Sequence, residues 1–237
     1  MRRLYQVAGT IVVHHDYVRR RLVTEFGVDD TGVHLVHLPV IRREHPSESR
    51  PSDRPPCVLF FGTFRDNKGI PVLLDAIRRL PRTQATFVFA GRGTPELERR
   101  VVDAAKGDDR IRVEIDYATA VRKQQLFAGA DLLVLPYTKF ASQSAVLHDA
   151  YAHGVPALVT DEGALGESVR EDGTGWVVPA SDPEALAEGL CHALTDEAAL
   201  RRAAAATDVL ARDRSPLRVG RQLRALYARL LDESRAG

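Results

Sequence analysis

Glycines bracket two cations at Gly62-Thr63-Phe64-Arg65-Asp66-Asn67-Lys68-Gly69, just after the apolar run Cys57–Phe61 and just before an amphipathic stretch. A strand that ends in glycine and hands over to a helix leaves the first-turn amides of that helix unpaired. Those amides carry a partial positive charge, and an adjacent Lys68 or Arg65 completes a phosphate site. Read alone, the loop suits equally a strand–helix turn with solvated cations. It is not a Walker loop, because Gly-x4-Gly-Lys-Ser/Thr is missing.

A second polar loop opens at Pro136-Tyr137-Thr138-Lys139-Phe140-Ala141-Ser142-Gln143-Ser144-Ala145 and leads through Asp149 to Gly154 and Pro156. Ser142 and Ser144 suit a helix start whose amides receive a phosphate. Counted from there, Asp149 lies about two turns along, roughly 10 Å from the helix beginning. The amides would hold a diphosphate while the carboxylate takes a pair of ribose hydroxyls; alternatively Asp149 is an exposed helix carboxylate. Gly91-Arg92-Gly93 looks like a truncated dinucleotide fingerprint, but Glu96 stands where the third glycine belongs. A tight turn with a solvent-facing Arg92 is the preferred reading, and nicotinamide chemistry is set aside.

These loops must be held by a scaffold. Apolar runs suited to buried parallel strands fall at Cys57–Phe61, Ala85–Ala90, Ile111–Ile115, Asp131–Leu135, Pro156–Thr160 and Gly175–Val178. Between them, Ile70, Leu73, Leu74 and Ile77 share one helical face. Asp182-Pro183-Glu184 orders a cap, a first-turn proline and an acid as a helix start does. Ser215-Pro216 repeats the signal ahead of Val219, Leu223, Leu226 and Leu230. The alternation predicts an α/β fold, a doubly wound parallel sheet with its ligand beyond the strands' carboxyl ends. Ahead of it, Thr10–His14, Asp16–Glu25 and His34–Val40 read as strand, helix and strand. The expected organisation is a remnant at 1–41, a proline-rich linker at 42–56, the sheet domain at 57–214 and a last helix at 215–237.

Composition narrows the function further. Among 237 residues, 33 basic side chains nearly balance 32 acidic ones, so no global field attracts nucleic acid. Cys57 and Cys191 follow no metal or redox spacing and read as small buried hydrophobes. No apolar run is long enough to span a membrane, and Arg2 and Arg3 are not followed by a signal-peptide core. A cytoplasmic location is the default expectation.

From Val58 to about Ala193 the chain resembles the C-terminal, donor-binding domain of family 4 glycosyltransferases, of GT-B fold. The resemblance rests on an ordered set: the Gly-x5-Lys-Gly loop at Gly62–Gly69, Pro136-Tyr137 leading to Asp149-Ala150 and Gly154-x-Pro156, Gly166-Glu167 with Asp172-Gly173-x-Gly175, and Asp182-Pro183-Glu184-Ala185-Leu186. Thr10–Val40 is similar to the end of the family's N-terminal domain, and Pro216–Leu231 to the helix that crosses back to it.

The resemblance implies a retaining transfer of a sugar from a nucleoside-diphosphate sugar to an acceptor the sequence does not name. No side-chain nucleophile, metal or other cofactor is implied. Lys68 corresponds to the lysine that binds the donor diphosphate. The family's arginine is replaced by Thr63, and Arg65 stands two positions on as a substitute charge. Asp149 takes the place of the glutamate that holds the ribose, and Ala141 that of the glutamate that contacts the transferred sugar. Ser142, Gln143, Ser144 and Ala145 line the donor in its stead, and the base falls near Ile115–Tyr117. Glu167 matches a position near the donor pocket or is a loop carboxylate bonded to amides. His148 and His153 are not spaced as metal ligands. Competing expectations are a domain that binds the nucleotide without transfer and a structural partner with a vestigial pocket. In either incomplete form the chain calls for an acceptor-domain partner subunit or self-association.

Overall fold

The computed structural model describes residue 5 and residues 8–43, 54–81, 85–140 and 143–236. The sequence expectations for Ala141, Ser142 and most of the linker lie outside these residues. The chain divides into two compact units, Met1–Arg42 with Val209–Gly237, and Arg43–Asp208. Among the described residues, no helix is long and apolar enough to cross a membrane.

The larger unit is a six-stranded parallel sheet built from β3 (Cys57–Phe61), β4 (Thr86–Ala90), β5 (Ile111–Glu114), β6 (Leu132–Leu135), β7 (Ala157–Thr160) and β8 (Gly175–Val178). Its spatial order is β5-β4-β3-β6-β7-β8. The chain therefore winds outward from β3 to β5, returns to the centre, and winds outward again from β6 to β8. The reversal lies between β3 and β6, which pair Val58 with Leu132 and Leu59 with Leu133. Loops that leave adjacent strands in opposite directions open a crevice at such a point.

Helices α2 (Ile70–Arg79), α3 (Pro95–Gly107), α4 (Ala120–Gly129), α5 (Ala145–Ala152), α6 (Ala164–Asp172), α7 (Pro183–Thr195) and α8 (Glu197–Asp213) follow the strands. Val58, Phe60, Phe87, Phe89 and Val134 pack with Ile70, Leu73, Leu74 and Ile77 of α2 and with Leu186 and Leu190 of α7. Leu59, Val88, Leu133 and Val159 alternate with these along the strands and are buried as well. A sheet covered on both faces needs continuous apolar runs, as these strands have. Each fully buried Leu, Ile or Phe contributes about 1.5–3 kcal/mol, so the α2 contact alone anchors the element after the first loop. Asp182 caps α7 by accepting from Glu184 and Ala185 amides, both at 3.0 Å, with Pro183 in the first turn.

In the smaller unit β1 (Ile11–Val13) and β2 (Val33–Leu35) pair in parallel around α1 (Asp16–Phe26). Val13, Leu22 and Val33 form one cluster, while Val36 meets Val219 and Leu226 of α9 (Pro216–Ala236) in another. The run His34–Val40 gives a strand over Val33–Leu35 only. Beyond it the backbone turns to other partners: Val36 N–H donates to Val13 O at 2.8 Å and Val40 N–H to Arg214 O at 2.8 Å.

Candidate functional site

Three loops meet at the carboxyl end of the sheet, and glycines decide how closely. Gly62 N–H donates to Ala90 O at 3.0 Å, and Phe64 N–H to Arg92 O at 2.8 Å. Gly91, at φ +151, lies so near that an added Cβ would stand 1.9 Å from Gly62 O. On the other side Thr138 N–H donates to Asn67 O at 3.0 Å, and the Asn67 amide donates to Lys139 O at 3.1 Å. The loops after β3, β4 and β6 are thus joined through their backbones. Gly91-Arg92-Gly93, read from the sequence as a tight turn, instead runs alongside the first loop, Gly93 forming a parallel bridge with Phe64, and Arg92 is not simply solvent-facing. Its guanidinium lies 3.7 Å from Glu98 and 5.7 Å from the Tyr117 ring centroid.

Lys68 ends a short 3-10 turn, Asp66–Lys68, whose left-handed cap is Gly69. Its Nζ sits 3.5 Å from the centroid of Tyr137 and 5.0 Å from that of Phe140. Among the described residues it has no carboxylate partner. Tyr137 is itself buried, its carbonyl accepting from Thr160 Oγ1 at 2.6 Å and its hydroxyl 3.4 Å from Ser144 Oγ. Burial, and then the nearby Arg65 charge, push the Lys68 amine down from its ordinary 10.5 to about 8. Two neighbouring cations, neither of them ion-paired among the described residues, form a place for an anion.

The sign of the pH effect follows from that shift. An anion bound to the ammonium favours the charged form and raises its pKa, so binding takes up a proton at pH values above about 8. Affinity for a diphosphate is expected to stay constant below that pH, where Lys68 is charged, and to fall above it, by up to about tenfold per pH unit. Calorimetry across pH 7 to 10 in buffers of different ionisation heat measures the uptake directly; a flat profile would remove Lys68 from the site. For folding the sign is opposite. The folded chain holds this proton less tightly than the unfolded one, so the penalty of burying the charge is present below about 8 and is relieved as pH rises towards 10.5.

Helix α5 faces the same crevice. Its first residue is Ala145 and its cap is Ser144, whose Oγ accepts from Leu147 N–H at 3.4 Å. The helix therefore begins later than the serine pattern suggests, and Asp149 lies just over one turn in, about 6 Å from the start rather than 10 Å. Val146 lies against Gly62: its Cγ2 would stand 3.6 Å from a Cβ placed there. Gln143 precedes the cap and is half-buried; Thr63 and Arg65 are exposed on the facing loop. The Asp149 carboxylate, expected to be open for a ribose, accepts from Lys123 Nζ of α4 at 2.8 Å. Sequence reading missed this partner, because the pair spans 26 residues and two helices.

Beyond β4 and β5 a hollow of about 170 Å³ is lined by Gly91, Glu114, Asp116, Tyr117, Thr119 and Arg122. Tyr117 is 77% exposed and offers a ring face; Arg122 Nε donates to Glu114 at 2.9 Å. Glu162, after β7, accepts from Phe140 N–H at 3.3 Å and holds the middle of the β6–α5 loop, a role the sequence did not signal. Gly62, Lys68, Arg65, Ser144 and Ala145 come together at the switch point, with Tyr117 and Asp149 placed around it.

The family model described as glycosyl transferases group 1 matches residues 55–196. Phosphatidyl-myo-inositol mannosyltransferase of Mycobacterium leprae is 32% identical over 155 residues, 63% of this chain and 40% of that protein. Glycogen synthase of Mycobacterium tuberculosis is 31% identical over 161 residues, 66% of this chain and 38% of that protein. The chain thus matches about two-fifths of the length of these curated relatives. Among solved structures, a glycosyltransferase of Rickettsia africae superposes with a TM-score of 0.78 at 16% identity, covering 97% of this chain and 66% of that one. HepE of Anabaena, solved with UDP-glucose, gives 0.74 at 16% identity over 93% and 64%. At such identities the likeness concerns the fold.

Proposed function

This chain belongs to the glycosyl transferases of group 1, and on that premise we propose that it is the donor-binding portion of a retaining, family 4 enzyme of GT-B fold. The reaction moves a sugar from a nucleoside-diphosphate sugar to an acceptor. The observation that carries this reading is the Lys68 ammonium, half-desolvated on Tyr137, beside Arg65, with no carboxylate partner among the described residues, at the point where the strand order reverses. The names of the relatives support a hexosyl transfer, and the UDP-glucose held by HepE supports the donor class.

In this reading the diphosphate lies between Lys68 and Arg65 on one side and the first-turn amides of α5 on the other. As the bond to the sugar breaks, negative charge grows on the leaving diphosphate. Preorganised donors aimed at that charge lower the barrier, and they do so best where water is excluded. The leaving phosphate assists attack on the same face, so configuration is retained without a side-chain nucleophile. Tyr117 and the hollow beside it receive the base, and Asp149 takes the ribose hydroxyls. Gln143 and Ser144 flank the transferred sugar. The acceptor is supplied from another domain, a partner subunit or a second copy.

The ribose assignment has its own test. Asp149→Asn is expected to weaken nucleoside diphosphates about tenfold, the loss of a charged acceptor, while inorganic pyrophosphate binds nearly as before. A site built to bond a hydroxyl also rejects the analogue lacking it. Parallel losses for both ligands in calorimetry would show that the substitution works through the fold.

A second reading is favoured by Ala141, which stands where the family has a sugar-contacting glutamate. Under it the chain holds a sugar nucleotide and transfers nothing alone. The two part in one assay of the 237-residue chain with sugar nucleotides and a panel of acceptors. Robust multiple-turnover transfer by a monomer eliminates the second reading. Tight binding with no turnover, unchanged when an acceptor-binding partner is added, supports it.

A further inference from the structure

The Lys123–Asp149 pair lies between two parts of the site that the proposed donor must bridge. Arg122 and Thr119, at the start of α4, line the hollow beside Tyr117, and Lys123 is the next residue along that helix. Val146, in the first turn of α5, lies against Gly62 at the phosphate loop, and Asp149 follows it three residues on, along the same face and about 4.5 Å further. A nucleoside diphosphate carries its sugar between base and phosphates. The ion pair therefore stands where the ribose passes.

Its chemistry suits that place. Lys123 Nζ donates to Asp149 Oδ1 at 2.8 Å, while Asp149 Oδ2 makes no hydrogen bond among the described residues. Both side chains are partly open, at 37% and 29% exposure. An ammonium has three donors, so two remain after the bond to Oδ1. One free carboxylate oxygen next to two free N–H donors complements a vicinal diol. One hydroxyl gives its hydrogen to Oδ2, and the neighbouring hydroxyl oxygen accepts from Nζ. The pair is also electrically neutral, so it reads the ribose without adding charge to the phosphate site.

We propose that Lys123 is a specificity-determining residue, which with Asp149 reads the 2′,3′-diol of the donor nucleotide as a donor–acceptor couple. This rests on the nucleotide-sugar reading above. Lys123 also fixes the aspartate, whose single methylene would otherwise let the carboxylate turn to solvent.

The test compares the full chain with Lys123→Met and Lys123→Arg. Each is titrated with uridine, guanosine and adenosine diphosphates, with the 2′-deoxy and 3′-deoxy forms of whichever binds tightest, and with inorganic pyrophosphate. Lys123→Met is expected to weaken the diphosphate about 10- to 150-fold, the range for one charge-assisted bond. It should weaken pyrophosphate far less than the nucleotide and lower the ribo-to-deoxy ratio. Lys123→Arg, which keeps the donors, should recover part of that ratio. A methionine variant with the parent's ratio overturns the proposal, and so does an equal loss for pyrophosphate and nucleotide. If the parent binds no nucleoside diphosphate more tightly than pyrophosphate, the donor reading itself fails, and this proposal with it.

Discussion

Lys68→Ala is expected to weaken binding of a nucleoside diphosphate by about 1.5–3 kcal/mol, roughly ten- to a hundred-and-fifty-fold. The ammonium is half-desolvated on the rings of Tyr137 and Phe140, so it forfeits solvation before any ligand arrives. An arriving diphosphate restores a counter-charge where water is scarce, and there a charged contact counts for more than at an open surface. Lys68→Arg separates charge from proton. Arginine stays protonated at every accessible pH, so this variant should keep much of the affinity and lose the decline above about pH 8. Calorimetry on the three proteins at pH 7 and pH 9 decides it. Equal affinity of parent and alanine variant at pH 7 would place the phosphates elsewhere.

The second large effect is on stability. Gly69 has φ +67, and a Cβ built there would lie 1.7 Å from Pro136 O and 2.8 Å from Pro136 C. Gly173 has nearly the same backbone, φ +64, with nothing within 4 Å of the added atom. Gly173→Ala therefore carries only the left-handed strain, about 1–2 kcal/mol. Gly69→Ala carries that strain and must also drive the first turn of the β6–α5 loop away, which adds about 1–3 kcal/mol of overpacking. Urea unfolding is expected to show a loss near 2–5 kcal/mol for Gly69→Ala against about 1–2 kcal/mol for Gly173→Ala. The same shift pulls Thr138 from Asn67 and moves Tyr137 under the Lys68 amine, so nucleotide affinity should fall in the folded fraction. If the two alanine variants prove equally stable, the loops are not held together as described.

The scaffold was largely legible before the structure, for a physical reason. Each strand of the large sheet is covered on both faces, so each appears as an unbroken apolar run, and all six were placed to within a residue or two. Helix starts with strong local chemistry, such as Asp182-Pro183-Glu184, were equally readable. Local chemistry was less decisive at α5, where two serines compete and Ser144 is the cap. The phosphate loop was visible as a pattern, and the desolvation of Lys68 was not, because it comes from Tyr137 and Phe140 about 70 residues away. Long-range pairings have no period to betray them. The Lys123–Asp149 contact and the backbone seam between Gly62 and Gly91 belong to that class.

The strand order also has a kinetic side. β3 joins β4 and β5 through successive crossovers, but it meets β6 only after some 70 residues of intervening chain have been placed. Closing so long a span is slow, since chain entropy is lost before the pairing rewards it. The crevice at the reversal therefore has both walls only once this late pairing is made. A partly folded chain, with β3 to β5 assembled, has the glycine loop without the Tyr137 ring beneath its lysine. A nucleotide bound across the two walls would recognise the finished sheet alone, and by mass action would hold it closed.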